Sequence, residues 1–151
     1  MVDDKHRNII MVDDDEDDFF LVKSAFEESE LPFEYHLLFL SNGQELMDYL
    51  RRRGKYSEPV NSPRPCLILL DLNMPLKDGR EVLREIKSDP ALKEITVVIL
   101  TTSSTEEDET LALSLGAVSF ITKPPSFGKL VELFKTNSSE WFKAAQTSNP
   151  A

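Results

Sequence analysis

An apolar run that ends in an aspartate is the first feature of this sequence that could do chemistry. In "LILLDLNMP", residues Leu67–Leu70 lead directly into Asp71, and Asn73 follows shortly after. A strand buried on both faces has this composition, and a carboxylate at its end lies where the core meets solvent. Two interpretations stay open here: Asp71 is a reactive group, or it begins a turn, since Asp, Asn and Pro favour turns.

Polar residues follow other apolar runs in the same way. The carboxyl ends of parallel strands share one edge of a sheet, so side chains placed there meet although they are far apart along the chain. The residues that this pattern brings to one rim are Asp13, Asp14, Asp15, Asp71, Asn73, Thr101 and Lys123.

Clustered carboxylates need positive charge nearby, because two of them at 4 Å repel by about 4 kcal/mol at an effective dielectric near 20. Lys123 supplies one unit. The remainder suits Mg²⁺, which takes oxygen ligands from one or two carboxylates and a substrate phosphate. Beside such a metal and a lysine, Asp71 can attack a phosphoryl group to form an aspartyl phosphate, and the Thr101 hydroxyl can bond a transferring oxygen.

The acidic run "DDDEDD", residues 13–18, divides into two parts. Residues 15–18 are interpreted as the solvated start of a helix, where the helix dipole favours carboxylates. Asp13 and Asp14 lie on the strand side of the run, so we predict that these two are functional.

The elements that must position these residues are short apolar runs that alternate with segments of helical periodicity. The first helix is predicted over residues 15–29, and the Pro- and Gly-containing segment 54–65 is predicted to be a loop. Regular alternation of strand and helix predicts a doubly wound five-stranded parallel α/β sheet flanked by helices. The predicted strands are residues 8–12, 35–40, 67–70, 97–101 and 118–122.

Composition excludes several classes of protein. A chain of 151 residues with 40% hydrophobic residues fits one domain, and a net charge of −10 argues against a nucleic-acid partner. The single cysteine, Cys66, cannot form an internal disulfide, and the first residues lack the apolar stretch of a signal peptide, so a cytoplasmic location is expected. No apolar run approaches the roughly 18 residues needed to cross a membrane.

Five short motifs occur in a fixed order, "VDDD", "LLDLNMP", "KDG", "ILTT" and "FITKP". Together they resemble the receiver domain of two-component response regulators. The resemblance covers about residues 8–138, so residues 1–151 are interpreted as a single receiver domain with a C-terminal extension at 139–151. It implies the flavodoxin-like receiver fold.

The resemblance also implies roles at the rim. Asp71 would be the phosphoacceptor, and Asp13 and Asp14 would be the acidic pair that holds Mg²⁺ together with Asp71. Asn73 would contribute its backbone carbonyl to the same metal.

Three further residues match the switch of the family. Thr101 would be the switch hydroxyl, Lys123 the phosphate-binding lysine and Phe120 the switch aromatic, at a position where many receivers carry tyrosine. The resemblance also predicts a cis peptide bond between Lys123 and Pro124, at a cost of about 0.5–1 kcal/mol.

The implied function is a phosphorylation-controlled binding module that receives a phosphoryl group from a sensor histidine kinase and catalyses no reaction beyond its own phosphorylation and dephosphorylation. "RRRGKY", "DGRE", "LTTSS" and "EWF" are similar to stand-alone receivers paired with bacterial phytochromes, so the kinase is expected to be a phytochrome. An Mg²⁺-dependent phosphohydrolase is the alternative, although such enzymes carry an acidic residue where this chain has Asn73. An unphosphorylated adaptor is disfavoured because the acceptor residues are all present.

A homodimer is also predicted, through the fourth helix, the fifth strand and the last helix. Trp141 and Phe142 are expected to lie just beyond the last helix and to extend this contact, since aromatic residues are enriched at interface cores. The alternative is that both residues fold back onto the sheet of their own chain.

Overall fold

Five strands and five helices alternate along the chain in the computed structural model, which describes the backbone of residues 6–148 and the side chains of residues 7–143. The strands are β1 (His6–Val12), β2 (Glu34–Leu40), β3 (Leu67–Leu70), β4 (Thr96–Thr101) and β5 (Ser119–Thr122). The helices are α1 (Glu16–Glu28), α2 (Gly43–Leu50), α3 (Gly79–Ser88), α4 (Glu106–Leu115) and α5 (Phe127–Ser148). Every predicted strand is therefore confirmed.

The strands form one parallel sheet in the order β2-β1-β3-β4-β5. The chain leaves β1 toward β2 and returns to β3 on the other side of β1, so the order reverses beside β1. Val12 pairs with Leu70, which places the residues that follow β1 and β3 side by side. This is the flavodoxin-like doubly wound order, and its ligand edge lies at that reversal.

Side chains cap all five helices at their N-termini, and for α5 the Ser126 hydroxyl oxygen accepts from the Lys129 N–H at 3.3 Å. The residue before each helix accepts a hydrogen bond from a backbone N–H of the first turn, as Asp15 does for α1 and Asp78 does for α3. Asn42 and Thr105 do the same for α2 and α4. Among the described residues, no helix is long and apolar enough to cross a membrane.

The sheet separates two apolar layers. Leu46, Val82 and Ala112 from α2, α3 and α4 pack on one face. Val22 of α1 and Phe134 of α5 pack on the other. Because both faces are covered, β3 and β4 are buried along their whole length and can hold the residues at their ends in fixed positions.

The position of the late aromatics corrects the sequence-based prediction. Helix α5 continues through both residues, and Trp141 and Phe142 are 0% and 4% exposed. Trp141 donates its indole N–H to the Ser119 hydroxyl at 3.0 Å, and the Phe142 ring meets the Phe33 ring edge-on at 4.7 Å. The prediction that they extend a dimer contact is wrong, because the last helix is long enough to return them to the core of their own chain.

The segment 54–65 forms no strand or α-helix, as predicted, but it contains two 3-10 turns, Gly54–Tyr56 and Pro59–Asn61. Its C-terminal end is tied to α2, since the Tyr49 hydroxyl donates to the Pro63 carbonyl at 2.6 Å. Residues 149–151, the end of the predicted C-terminal extension, lie outside the described residues.

Candidate phosphoacceptor and metal site

Three carboxylates converge where β1 and β3 end. Asp13, Asp14 and Asp71 each offer an oxygen, and these atoms lie within 4.8 Å of one another. Asp13 and Asp71 are 1% and 4% exposed, whereas Asp14 is exposed. A set of oxygen donors with one side open to solvent fits a hard divalent cation, which keeps some of its water ligands.

Lys123 brings the positive charge to this cluster from the end of β5. Its ammonium Nζ lies 2.6 Å from Asp13 Oδ2 and 3.8 Å from Asp71 Oδ2. Its backbone N–H donates to the Thr101 carbonyl at 2.7 Å, which fixes the start of the side chain.

The peptide bond between Lys123 and Pro124 is trans, since no cis bond occurs among the described residues. The prediction of a cis bond is therefore wrong. The lysine already reaches Asp13 from a trans backbone, and trans is the form that an X–Pro bond favours by about 0.5–1 kcal/mol.

Burial and hydrogen bonding act against each other on these charges. Burial raises the pKa of Asp13 to about 6, although the hydrogen bond and charge of Lys123 act in the opposite direction. Burial also lowers the pKa of Lys123, but hydrogen bonds to Asp13 and Asp18 outweigh it, so the net pKa is raised. The lysine therefore stays charged, while the buried Asp13 carboxylate remains under-compensated and favours a further cation.

Asp18 belongs to this site, although the acidic run predicts it to be part of a solvated helix start. Its Oδ2 lies 2.7 Å from Lys123 Nζ. That prediction is wrong for Asp18 because helical spacing sets it on the same face of α1 as the buried Val22 and Ala25, which is the signal that could have found it. The prediction of a solvated helix start is confirmed for Asp15 and Asp17, which are exposed.

The turn after β3 lies close against Asp71. The backbone N–H of Asn73 donates to Asp71 Oδ1 at 3.2 Å. A Cβ on Gly79 would lie 2.2 Å from the Asp71 carbonyl oxygen, so only glycine allows the chain to return this closely. The "KDG" motif contains this glycine, but its spacing alone did not predict the close approach.

The two proposed switch residues lie on neighbouring strands. Thr101 is fully buried, and its hydroxyl oxygen accepts a hydrogen bond from the Ser103 N–H at 3.3 Å. Phe120 is half-buried and packs against the apolar layer under α2, α3 and α4.

Comparison with known proteins now identifies the family. Residues 9–135 match the response regulator receiver domain. The chain belongs to this family. The receiver shares 41% identity over 135 residues with response regulator Rcp1 of Synechocystis sp. (strain ATCC 27184 / PCC 6803 / Kazusa), covering 89% of this chain and 88% of Rcp1.

Solved structures agree with this assignment. The Mn²⁺-bound form of Rcp1 superposes with a TM-score of 0.80 at 40% identity, covering 89% of this chain and 94% of that one. The phosphorylated cyanobacterial phytochrome response regulator RcpA superposes with a TM-score of 0.81 at 41% identity, covering 91% and 94%. The receiver is also 34% identical, over 95% of its length and 88% of the relative, to FilR2 of Methanothrix harundinacea (strain 6Ac), named as a probable methanogenesis regulatory protein.

A second charged cluster of this receiver lies near the ends of β4 and β5. Arg80 of α3 forms two hydrogen bonds to Asp108 of α4, at 2.9 and 2.7 Å. The Ser103 hydroxyl donates to the same carboxylate at 2.6 Å, and Thr122 donates to the Ser103 carbonyl at 2.9 Å. Hydrogen bonds from Arg80 and Ser103 lower the pKa of Asp108 to about 2. No motif in the sequence predicted this cluster.

Proposed function

We propose that this receiver takes a phosphoryl group from a histidine kinase onto Asp71 and that the kinase is a phytochrome. Phosphorylation-dependent signalling is a property of the family. What we propose is that Asp71 is the acceptor and that a phytochrome is the kinase. The observation that carries it is a nearly buried Asp71 at the end of β3, close to Asp13 and Asp14 and 3.8 Å from the Lys123 ammonium.

Each residue of the chain has a separate part in the transfer. An Asp71 carboxylate oxygen attacks phosphorus, and the bond from phosphorus to the kinase histidine nitrogen breaks. Lys123 donates a hydrogen bond to a phosphoryl oxygen and offsets its charge, and the Thr101 hydroxyl donates to another. Thr101 then gives up its bond with Ser103, and Phe120 moves into the space that Thr101 leaves. The surface of α4, β5 and α5 changes as a result.

Mg²⁺ is the metal that we assign to the site. Asp13, Asp14 and Asp71 would hold it through their carboxylates and Asn73 through its backbone carbonyl. Bound there, it would offset negative charge on the transferring phosphoryl group. The oxygen donor set and the Mn²⁺-bound form of Rcp1 support a divalent cation, and the preference of Mg²⁺ for carboxylates and phosphate supports this choice.

The test of the acceptor is Asp71→Asn, with Asp17→Asn as the matched control in the exposed part of α1. Acetyl phosphate and Mg²⁺ should label the wild type and the control stoichiometrically, as read on a phosphate-affinity gel. The Asp71 variant should stay unlabelled while its circular dichroism is unchanged. Labelling that persists on a folded Asp71→Asn variant would place the acceptor elsewhere.

The alternative of an Mg²⁺-dependent phosphohydrolase is tested in the same samples. Asn73 stands where such an enzyme needs an acid to protonate its leaving group, so we expect no sustained turnover of phosphate esters. Sustained turnover would favour the enzyme.

The name of RcpA, a cyanobacterial phytochrome response regulator, supports a phytochrome partner, whereas FilR2 is named for another process. Phosphotransfer profiling decides between them. A phytochrome kinase from the source organism should label Asp71 faster than the other histidine kinases of that organism, and preference for a kinase of a different class would overturn the pairing.

We also propose that this phosphotransfer takes place in the cytoplasm.

A homodimer through α4, β5 and α5 remains a prediction, now without Trp141 and Phe142. Leu113 of α4 and Phe127 of α5 are 45% and 40% exposed and support such a contact. Leu113→Asp should dissociate the dimer in light scattering, whereas Leu21→Asp on α1 should not. A wild-type chain that is monomeric at tens of micromolar, with or without beryllofluoride, would refute it.

A further inference from the structure

The ammonium of Lys123 is shared unequally among three carboxylates. Asp13 Oδ2 and Asp18 Oδ2 lie 2.6 and 2.7 Å from Nζ, both at hydrogen-bond distance. Asp71 Oδ2 lies 3.8 Å away, beyond that distance. An ammonium has three N–H donors, so Asp13 and Asp18 occupy two of them and draw the lysine away from the phosphoacceptor.

Asp18 differs from its neighbour Asp17 on α1 in exposure and in its ion pair. Its side chain is 29% exposed and faces the lysine, which is 16% exposed. Asp17 is exposed and has no ion pair among the described residues. Both residues belong to the first turn of α1, so a general effect of acidic charge there would be the same for both.

We infer that Asp18 is a positioning residue that holds Lys123 in a resting place until a phosphoryl group displaces it. This inference rests on the proposed function of Asp71. Asp13 and Asp18 hold two of the three donors of Lys123, so the lysine can offer a phosphoryl group only its third donor unless Asp18 releases it. Asp18 therefore competes with the phosphoryl group for the lysine and sets how tightly the site binds it.

Two electrostatic effects act in the same direction. The Asp18 carboxylate repels an incoming anion, and its hydrogen bond holds the Lys123 ammonium at a distance from Asp71. Removing the carboxylate frees the donor and lowers the repulsion, so the site should bind a phosphoryl group more tightly. The effect should have the size of a partly exposed ion pair, roughly two- to fivefold in affinity.

The experiment measures the affinity for beryllofluoride, an analogue of the phosphoryl group, by calorimetry of the full chain at saturating Mg²⁺. Asp18→Ala should bind the analogue roughly two- to fivefold more tightly than the wild type. Asp17→Ala is the matched control and should bind like the wild type. Asp18→Glu keeps a carboxylate and should return the affinity toward the wild-type value. Circular dichroism shows that each variant is folded.

The outcomes separate this inference from the proposed function. Equal affinities for Asp18→Ala and Asp17→Ala, or weaker binding by Asp18→Ala, would overturn the competing role while leaving Asp71 as the acceptor. Tighter binding by Asp18→Ala that Asp18→Glu does not reverse would also overturn it. A wild-type chain that neither binds beryllofluoride nor takes up phosphate from acetyl phosphate would overturn the proposed function itself.

Discussion

Two charged clusters of this receiver each place one basic residue among aspartates, but they shift the pKa of an aspartate in opposite directions. Around Lys123, one cation faces three carboxylates, and burial raises the pKa of Asp13 to about 6. Around Arg80, one cation faces Asp78 and Asp108, and hydrogen bonds lower the pKa of Asp108 to about 2. The cluster around Lys123 lacks positive charge and can therefore bind a cation. In the cluster around Arg80 the hydrogen bonds of Asp108 are satisfied, and the ion pair links α3 to α4.

Burial and the number of hydrogen bonds explain the difference. The Asp13 side chain is 1% exposed and shares a single lysine, whereas Asp108 is 16% exposed and receives a two-point contact from arginine. A planar guanidinium matches a carboxylate in a way that an ammonium cannot. Asp108 is thus stabilised as an anion by its own partners, whereas the ionised form of Asp13 would be stabilised by an added cation.

The largest expected effect comes from removing the cation of the buried cluster. Lys123→Met leaves the Asp13 carboxylate buried without its ion pair, so the free energy of unfolding in EDTA should fall by about 3 kcal/mol. Urea denaturation measures it, with Lys129→Met on the exposed face of α5 as a control that should change little. Mg²⁺ should reduce the loss, because the metal supplies the missing charge. An unchanged stability in EDTA would show that Asp13 does not depend on Lys123.

Removing the cation of the satisfied cluster should cost less. Arg80→Met leaves Asp108 with solvent and Ser103 as partners, so the free energy of unfolding should fall by about 1.5 kcal/mol. The loss should be the same in EDTA and in Mg²⁺, unlike that of Lys123→Met. A loss of stability that depends on Mg²⁺ would show that the two clusters are energetically coupled.

The pH dependence of stability sharpens the comparison further. Because the pKa of Asp108 in the folded chain lies below its ordinary value of 3.8, ionised Asp108 stabilises the fold above about pH 4, and this contribution is lost as pH falls toward about 2. At pH 7, Asp108→Asn should be about 1 kcal/mol less stable than the wild type. At pH 3 the difference should be smaller. A difference that does not change with pH would assign the loss to packing.

The smallest expected effect is that of the Ser103 hydroxyl. Ser103→Ala removes one of three hydrogen bonds to the Asp108 carboxylate, so the free energy of unfolding should fall by about 0.5 kcal/mol. In an Arg80→Met background the loss should grow, since Ser103 is then the main partner of Asp108. Equal losses in both backgrounds would mean that the two bonds act independently.

The order of strands and helices and the chemical edge of the sheet follow from local sequence. Runs such as Leu67–Leu70 and the helical periodicity between them specify alternating strands and helices, and parallel strands must end at one edge. Asp13, Asp71 and Lys123 are therefore predictable as neighbours from the sequence, because each directly follows a strand.

The partners of the helix faces, in contrast, follow only from the packing of the helices on the sheet. Asp18 contacts a lysine 105 positions away, and Arg80 contacts Asp108 from 28 positions away. Trp141 was predicted at an interface but fills the core of its own chain. Helical periodicity tells which residues share a face of a helix, but the partner of that face depends on how α1, α3, α4 and α5 pack on the sheet, and local sequence does not carry that information.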